Sequence, residues 1–121
     1  MRSSVGELED SIVHSHLKLA KSNGFKAKRV KIADAWRYNP NSRLLAMTKK
    51  IYKEQNGEKI KVAAVHAGLE CGTFQTLNPN LDMISIGPDI AGAHTINETL
   101  YLDSIPKVWT LLKGLLIRIG E

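Results

Sequence analysis

The chain has 121 residues, of which 17 are Lys or Arg and 12 are Asp or Glu, so its formal charge is +5. This length supports one hydrophobic core rather than two full domains, and a single cysteine, Cys71, excludes an internal disulfide. No stretch of about 18 apolar residues is present, and charges are spread through residues 1–20, so the sequence predicts neither a membrane span nor a secretory signal. We therefore expect a cytoplasmic protein without a membrane partner.

The first quarter of the chain predicts an amphipathic helix followed by an edge strand. Ser4 and Glu7 match a capping box at the start of the helix, and Asn23-Gly24 can close its end. The alternating, lysine-rich segment 25–32 predicts a half-exposed strand. Spacings of three and four residues place one stripe on the buried face of the helix: Val5, Leu8, Ile12, His16 and Leu19.

A turn-rich connector ending near Pro40 separates this part from a second helix. Asn41 or Ser42 can cap that helix, which we expect to run to Gln55 and to end at Asn56-Gly57. Its inward residues are expected to be Leu44, Met47, Thr48 and Ile51, flanked by Leu45 and Tyr52.

The second half of the chain predicts two buried strands, two loops and two helical segments. Short apolar runs at 60–65 and 83–86 are typical of strands covered on both faces. A helical stretch follows the glycines after the first run, and a Gly- and Pro-rich loop spans 87–98. Ser104 and Pro106 begin a last helix with a broad apolar face. The predicted fold class is therefore α/β.

Polar residues that a core does not need concentrate in two loops at the ends of the predicted strands. Ligand sites in α/β folds commonly lie at such places. In the second loop, His94 could bind a metal through a neutral imidazole nitrogen, with the Glu98 carboxylate orienting the other nitrogen, or it could be an ordinary surface residue. The residues in question are His66, Gly68, Glu70 and Cys71 in the first loop, and Asp89, His94, Asn97 and Glu98 in the second.

Three segments of the chain together resemble one enzyme family. They read VHAGLECGTF from position 65, LDMISIGPDIAGAHTINE from position 81 and LDSIPKVWTLLKGLL from position 102. An RSS segment and a W-x-x-N-P-x-S turn precede them in the same order as in the family. The chain thus resembles the C-terminal part of bacterial Xaa-His dipeptidases, also called aminoacyl-histidine or cytosolic non-specific dipeptidases, in the zinc carnosinase, aminoacylase and carboxypeptidase G superfamily.

The resemblance implies a domain division and a set of site residues. Residues 1–36 correspond to the end of an inserted lid domain, a helix plus a strand, and residues 37–121 to the C-terminal segment of the α/β catalytic domain. By position in the motifs, His94 corresponds to a zinc ligand, Arg2 to a lid arginine that holds the substrate carboxylate, and Gly68 to a backbone contact with substrate. Supporting roles fall to His66, Glu70 and Glu98.

The family binds two zinc ions per active site, and its remaining ligands and its general-base glutamate come from motifs that this chain does not contain. One histidine cannot hold two metal ions. We therefore expect a fragment or truncated product of a metallodipeptidase for Xaa-His and other dipeptides, without a catalytic residue of its own and inactive alone. Its expected partners are the dipeptide substrate and the remainder of the parent chain, and self-association is expected because strand edges would lie open.

Two alternatives come from other classes of protein. The first is a stand-alone basic α/β module that binds RNA or a protein partner through Lys26, Lys28, Arg29 and Lys31. Few aromatic residues accompany these cations, so no specific nucleic-acid partner is expected. The second is a degenerate, non-catalytic remnant that binds a full-length partner.

Overall fold

A computed structural model describes residues 3–30, 34–65 and 69–121 of the chain. Its elements are four α-helices, a two-stranded antiparallel sheet and one 3-10 turn. In chain order they are α1 (Gly6–Ser22), α2 (Arg43–Asn56), α3 (Glu70–Leu77), β1 (Ile90–Ala91), β2 (Thr99–Leu100), the 3-10 turn (Leu102–Ser104) and α4 (Ile105–Ile119). The fold is thus mixed, mainly helical with a small sheet, which agrees with the predicted α/β class.

The chain divides into two compact units that alternate along the sequence. Unit 1 comprises Met1–Asn41 and Val62–Leu81, and unit 2 comprises Ser42–Lys61 and Asp82–Glu121. Each unit is therefore built from two separate stretches of chain. The division of the sequence at residue 36 into lid and catalytic segments stays a prediction.

Helix α1 of unit 1 begins without the predicted capping box. Its N-cap residue is Val5, with no side-chain cap hydrogen bond, and the Val5 N–H donates to the Ser3 hydroxyl at 3.0 Å. The carboxylate of Glu7 instead accepts from the Arg37 guanidinium at 2.6 and 2.7 Å. The predicted end is confirmed, because Gly24 follows the helix with φ of 77°, the left-handed geometry that closes helices.

The buried face of α1 differs from the predicted stripe. Glu9, which the stripe leaves out, is only 8% exposed and accepts from the Arg29 Nη2 at 3.1 Å. Leu8, Ile12 and Leu19 of the predicted stripe are exposed. An ion pair between α1 and the irregular segment that follows it therefore lies on the buried side of α1.

Helix α3 of unit 1 packs closely on the segment around Asp34. A Cβ added at Gly72 would lie 2.2 Å from the Asp34 carbonyl oxygen, far inside contact distance. One turn further along the helix, the Gln75 side-chain oxygen accepts the Arg37 backbone N–H at 3.1 Å. The two glycines of the first loop indicated a close backbone approach, and Gly72 confirms it; Gly68 lies outside the described residues.

Unit 2 has a small core between α2 and α4. Ile51 of α2 and Leu111 and Leu115 of α4 are each 4% exposed. Partly buried apolar side chains pack around these three: Leu44, Met47, Tyr52, Ile60, Ile84 and Ile86. The predicted inward face of the second helix is therefore confirmed.

Both ends of α2 also follow the prediction. The Ser42 hydroxyl accepts the Leu45 N–H at 2.9 Å, as an N-cap residue does. At the other end, Gly57 has φ of 74° and its N–H donates to the Lys53 carbonyl at 2.9 Å. The boundary predicted at the NPNS turn lies one residue from the observed start of α2.

The three predicted strands are absent where the structure describes them. Residues 25–30, 60–65 and 83–86 have no regular secondary structure. Val62 and Val65, expected to be covered on both faces, are 40% and 54% exposed. A strand needs a hydrogen-bonded neighbour, and the described residues supply none for these segments.

Candidate functional site

The predicted 87–98 loop is a short hairpin that carries His94 at its tip. Ile90 pairs with Leu100 and Ala91 with Thr99, in antiparallel register. The sequence prediction missed this hairpin, because each strand has only two residues and Ile90 is the sole β-branched residue of β1.

The backbone of the hairpin tip is held by a local hydrogen-bond network. The Gly92 carbonyl accepts the Thr95 N–H at 3.0 Å and the Thr95 hydroxyl at 2.7 Å. That same hydroxyl oxygen accepts the Asn97 N–H at 3.2 Å. His94 has φ of 65°, a left-handed conformation that is uncommon for a residue with a Cβ. The tip thus holds an exposed histidine in a fixed backbone geometry.

Ser104 ties the base of the hairpin to the start of α4. Its side chain is buried; the hydroxyl accepts the Asp89 N–H at 2.8 Å and donates to the Tyr101 carbonyl at 2.6 Å. The Tyr101 N–H in turn donates to the Asp89 carbonyl at 3.0 Å. Ser104 occupies the predicted N-cap position of α4, but its side chain makes no cap hydrogen bond to that helix. It holds the hairpin instead.

Glu98 supports His94 through the backbone and not through the ring. Its Oε2 accepts the His94 N–H at 2.7 Å. The predicted contact of this carboxylate with the imidazole is not among the hydrogen bonds of the described hairpin, where the His94 backbone N–H is the donor instead. Glu98 stabilises the conformation that projects the imidazole into solvent.

The described residues do not complete a metal site. Among them, no three His, Cys, Asp or Glu side chains come together in a way that could hold a metal ion. His94 can offer one imidazole, whereas Glu98 is engaged by a backbone N–H. A zinc site needs three or four protein ligands. The two zinc ions implied by the resemblance therefore do not fit this part of the chain by itself.

The other predicted site residues fall outside this hairpin. Arg2, His66 and Gly68 lie outside the described residues. Glu70 is the first residue of α3 in unit 1 and is exposed, and Cys71 beside it is half-buried. Of the predicted site residues, the structure thus places His94 and Glu98 together in the hairpin, whereas Glu70 lies on α3.

Unit 1 also has a shallow polar groove that the sequence did not predict. Its volume is about 480 Å³. The Arg37 guanidinium, which lines it, binds the Glu7 carboxylate at 2.6 Å. The Glu7 pKa is lowered by its own backbone N–H and then by Arg37. Nothing in the local sequence marks the groove, whose lining residues are Arg37, Tyr38, Asn39, Pro40, Gln75, Pro79, Asn80 and Leu81.

Comparison with known proteins shows that this chain is similar to a dipeptidase. It is similar to the cytosol non-specific dipeptidase of Escherichia coli (strain K12), with 33% identity over 116 residues. The match covers 96% of this chain and 24% of that protein, so the chain spans about a quarter of its relative's length. No family model matches the chain. No described helix is both long and apolar enough to cross a membrane.

Proposed function

We propose that this chain is the C-terminal part of a cytoplasmic zinc metallodipeptidase that hydrolyses Xaa-His and other dipeptides. The observation that carries the proposal is the similarity to a dipeptidase along nearly the whole chain. The His94 hairpin supports it, because a catalytic metal ligand must project from a backbone that does not rearrange.

In this proposal, His94 supplies one imidazole to a zinc centre whose other ligands come from the remainder of the polypeptide. Glu98 positions His94 through its backbone N–H at 2.7 Å. Arg2 and Gly68 contact the dipeptide, the guanidinium by pairing with its carboxylate and the glycine by permitting close approach. Because the described residues do not complete a metal site, we assign no catalytic step to this chain alone.

The proposal is tested by a chimera in which this chain replaces the matching quarter of the E. coli dipeptidase. We expect the chimera to hydrolyse Xaa-His dipeptides when zinc is present. His94→Asn should lower kcat at least about 100-fold, since it removes a metal ligand, and should lower the zinc content of the purified protein. Asparagine tolerates the left-handed conformation, so the hairpin should keep its geometry.

The matched control is His14→Asn, which changes an exposed histidine on α1. It should leave both kcat and zinc content unchanged. A folded chimera without activity, or equal kcat for His94→Asn and the unmodified chimera, would contradict the proposal. Turnover by the isolated chain with zinc, above a chelated control, would contradict its inactivity.

A further inference from the structure

Helix α1 packs on no other helix or strand among the described elements. The buried residues in the described part of unit 1 are Glu9 and Gly72, and no apolar side chain is buried there. Unit 2, in contrast, buries Ile51, Leu111 and Leu115 between α2 and α4. Because apolar burial is the main force that holds a folded unit together, α1 must depend on contacts of another kind.

Two arginines that follow α1 in the sequence bind carboxylates on its first two turns. Arg29 uses both terminal nitrogens: Nη2 contacts Glu9 at 3.1 Å, and Nη1 contacts Asp10. Arg37 contacts Glu7 at 2.6 Å. Both arginines lie in stretches without regular secondary structure. Together these three ion pairs form the α1 clasp, which joins the helix to irregular chain.

The path of the chain after α1 explains how Arg29 reaches Glu9. The chain turns at Gly24, which has φ of 77°, and the Phe25 N–H donates back to the Ala20 carbonyl at 3.0 Å. From Glu9 to the end of α1 the helix is about 20 Å long, at 1.5 Å per residue. The chain from Gly24 to Arg29 spans about 17 Å when fully extended. The contact therefore requires this segment to run back along α1 in a nearly extended form.

Most of the α1 clasp is open to solvent. The side chains of Asp10 and Glu7 are 64% and 74% exposed, and Glu9 alone is buried. Exposed ion pairs are weak, and dissolved salt weakens them further, because the screening length falls from about 30 Å at 0.01 M to about 3 Å at 1 M. An isolated helix of 17 residues is only marginally stable in water, so α1 should unfold when the clasp opens.

We propose that α1 is a salt-released element of this chain. The α1 clasp holds the helix in place at low ionic strength, and rising salt opens the clasp and unfolds α1 while unit 2 stays folded. Unit 2 does not respond in this way, because its core is apolar and dissolved salt does not weaken apolar burial. The proposal concerns α1 alone, so an inactive chimera would not affect it.

Hydrogen exchange of the full chain tests the proposal, measured by NMR at about 20 mM and about 500 mM sodium chloride. We expect the α1 amides to exchange at least about fivefold faster at the higher salt concentration, while the α4 amides keep their rates. Arg29→Gln removes two of the three ion pairs. It should therefore speed α1 exchange already at low salt and remove most of the salt response.

The matched control is Lys28→Gln, which removes the same charge from an exposed neighbour that takes no part in the α1 clasp. It should leave α1 exchange and its salt response unchanged. Equal α1 exchange at both salt concentrations, or equal acceleration of α1 and α4, would overturn the proposal. The same effect from Lys28→Gln as from Arg29→Gln would also overturn it. If Arg29→Gln does not fold, the salt response of the unmodified chain, compared between α1 and α4, still decides.

Discussion

Asp82 caps a helix that begins 39 residues earlier in the sequence. Its Oδ2 accepts the Leu44 N–H in the first turn of α2 at 2.9 Å. This bond, and then one with the Ser42 hydroxyl, holds the pKa of Asp82 below its usual range. Because the pKa is lower in the folded chain than in the unfolded chain, the ionised carboxylate stabilises the fold above about pH 4. That contribution is lost as the pH falls through the folded pKa.

Replacement of Asp82 should therefore have a pH-dependent cost. We expect Asp82→Ala to lower the free energy of unfolding by about 1 kcal/mol at pH 7, the usual value of a helix cap. The difference from the unmodified chain should shrink as the pH falls below 4 and through the folded pKa of Asp82, below which neither chain carries the charge. Urea unfolding across this pH range measures it, with Glu58→Ala, at an exposed position, as the control. A pH-independent difference would show that the charge does not contribute.

The contact at Gly72 predicts an intolerance to any side chain. Gly72→Ala should lower the free energy of unfolding by about 2 kcal/mol or more, because its Cβ would meet the Asp34 carbonyl at 2.2 Å. Gly87→Ala is the control, since nothing lies within 4 Å of its added Cβ. Urea unfolding of the two variants should separate them clearly. Equal stabilities would mean that α3 can move away from the Asp34 segment at no cost.

At the scale of elements, helices were predictable from this sequence and strands were not. A helix satisfies its backbone hydrogen bonds locally, so Ser42 and Gly57 were enough to locate both ends of α2. A strand depends on a neighbour that no local pattern can identify. Ile84 and Ile86 were correctly expected to face inward, yet their segment packs on the core of unit 2 without pairing.

The orientation of α1 shows a second limit of hydrophobic periodicity. The pattern favoured Leu8 and Ile12 as buried residues, but Glu9 is buried by its ion pair with Arg29. Arg29 also binds Asp10. An ion pair between residues 20 positions apart cannot be recognised from the local hydrophobic pattern of the sequence. The same pair engages one of the cations on which the RNA-binding alternative depends.

The Ser104 contacts predict that the His94 hairpin and the start of α4 move together. Ser104→Ala leaves the Asp89 N–H without its acceptor in a partly buried place. We expect a loss of about 1–2 kcal/mol in local stability, seen as about 5- to 30-fold faster hydrogen exchange of the Asp89 amide. Ser85→Ala, at an exposed position, is the control. Unchanged exchange in Ser104→Ala would mean that the hairpin is held by its own turn alone.

At the scale of the whole molecule, the sequence singled out the loop that carries the candidate site, but it did not predict the contacts within that loop. The motif resemblance singled out the loop around His94, and the structure places that residue at an exposed hairpin tip. The contact between Glu98 and the His94 backbone could not be foreseen, because it depends on a left-handed φ that spacing does not encode. The interleaving of the two units was equally hidden, since each joins stretches that are distant in sequence.

The single thiol of the chain lies at an informative place. Cys71 is half-buried in the first turn of α3, next to the glycine that packs on Asp34. Because Cys71 is half-buried, local opening of this turn should increase the access of a thiol-specific reagent to its sulfur. The rate at which Cys71 is labelled therefore reports how readily α3 opens. Mass spectra taken at successive time points give this rate without any engineered probe.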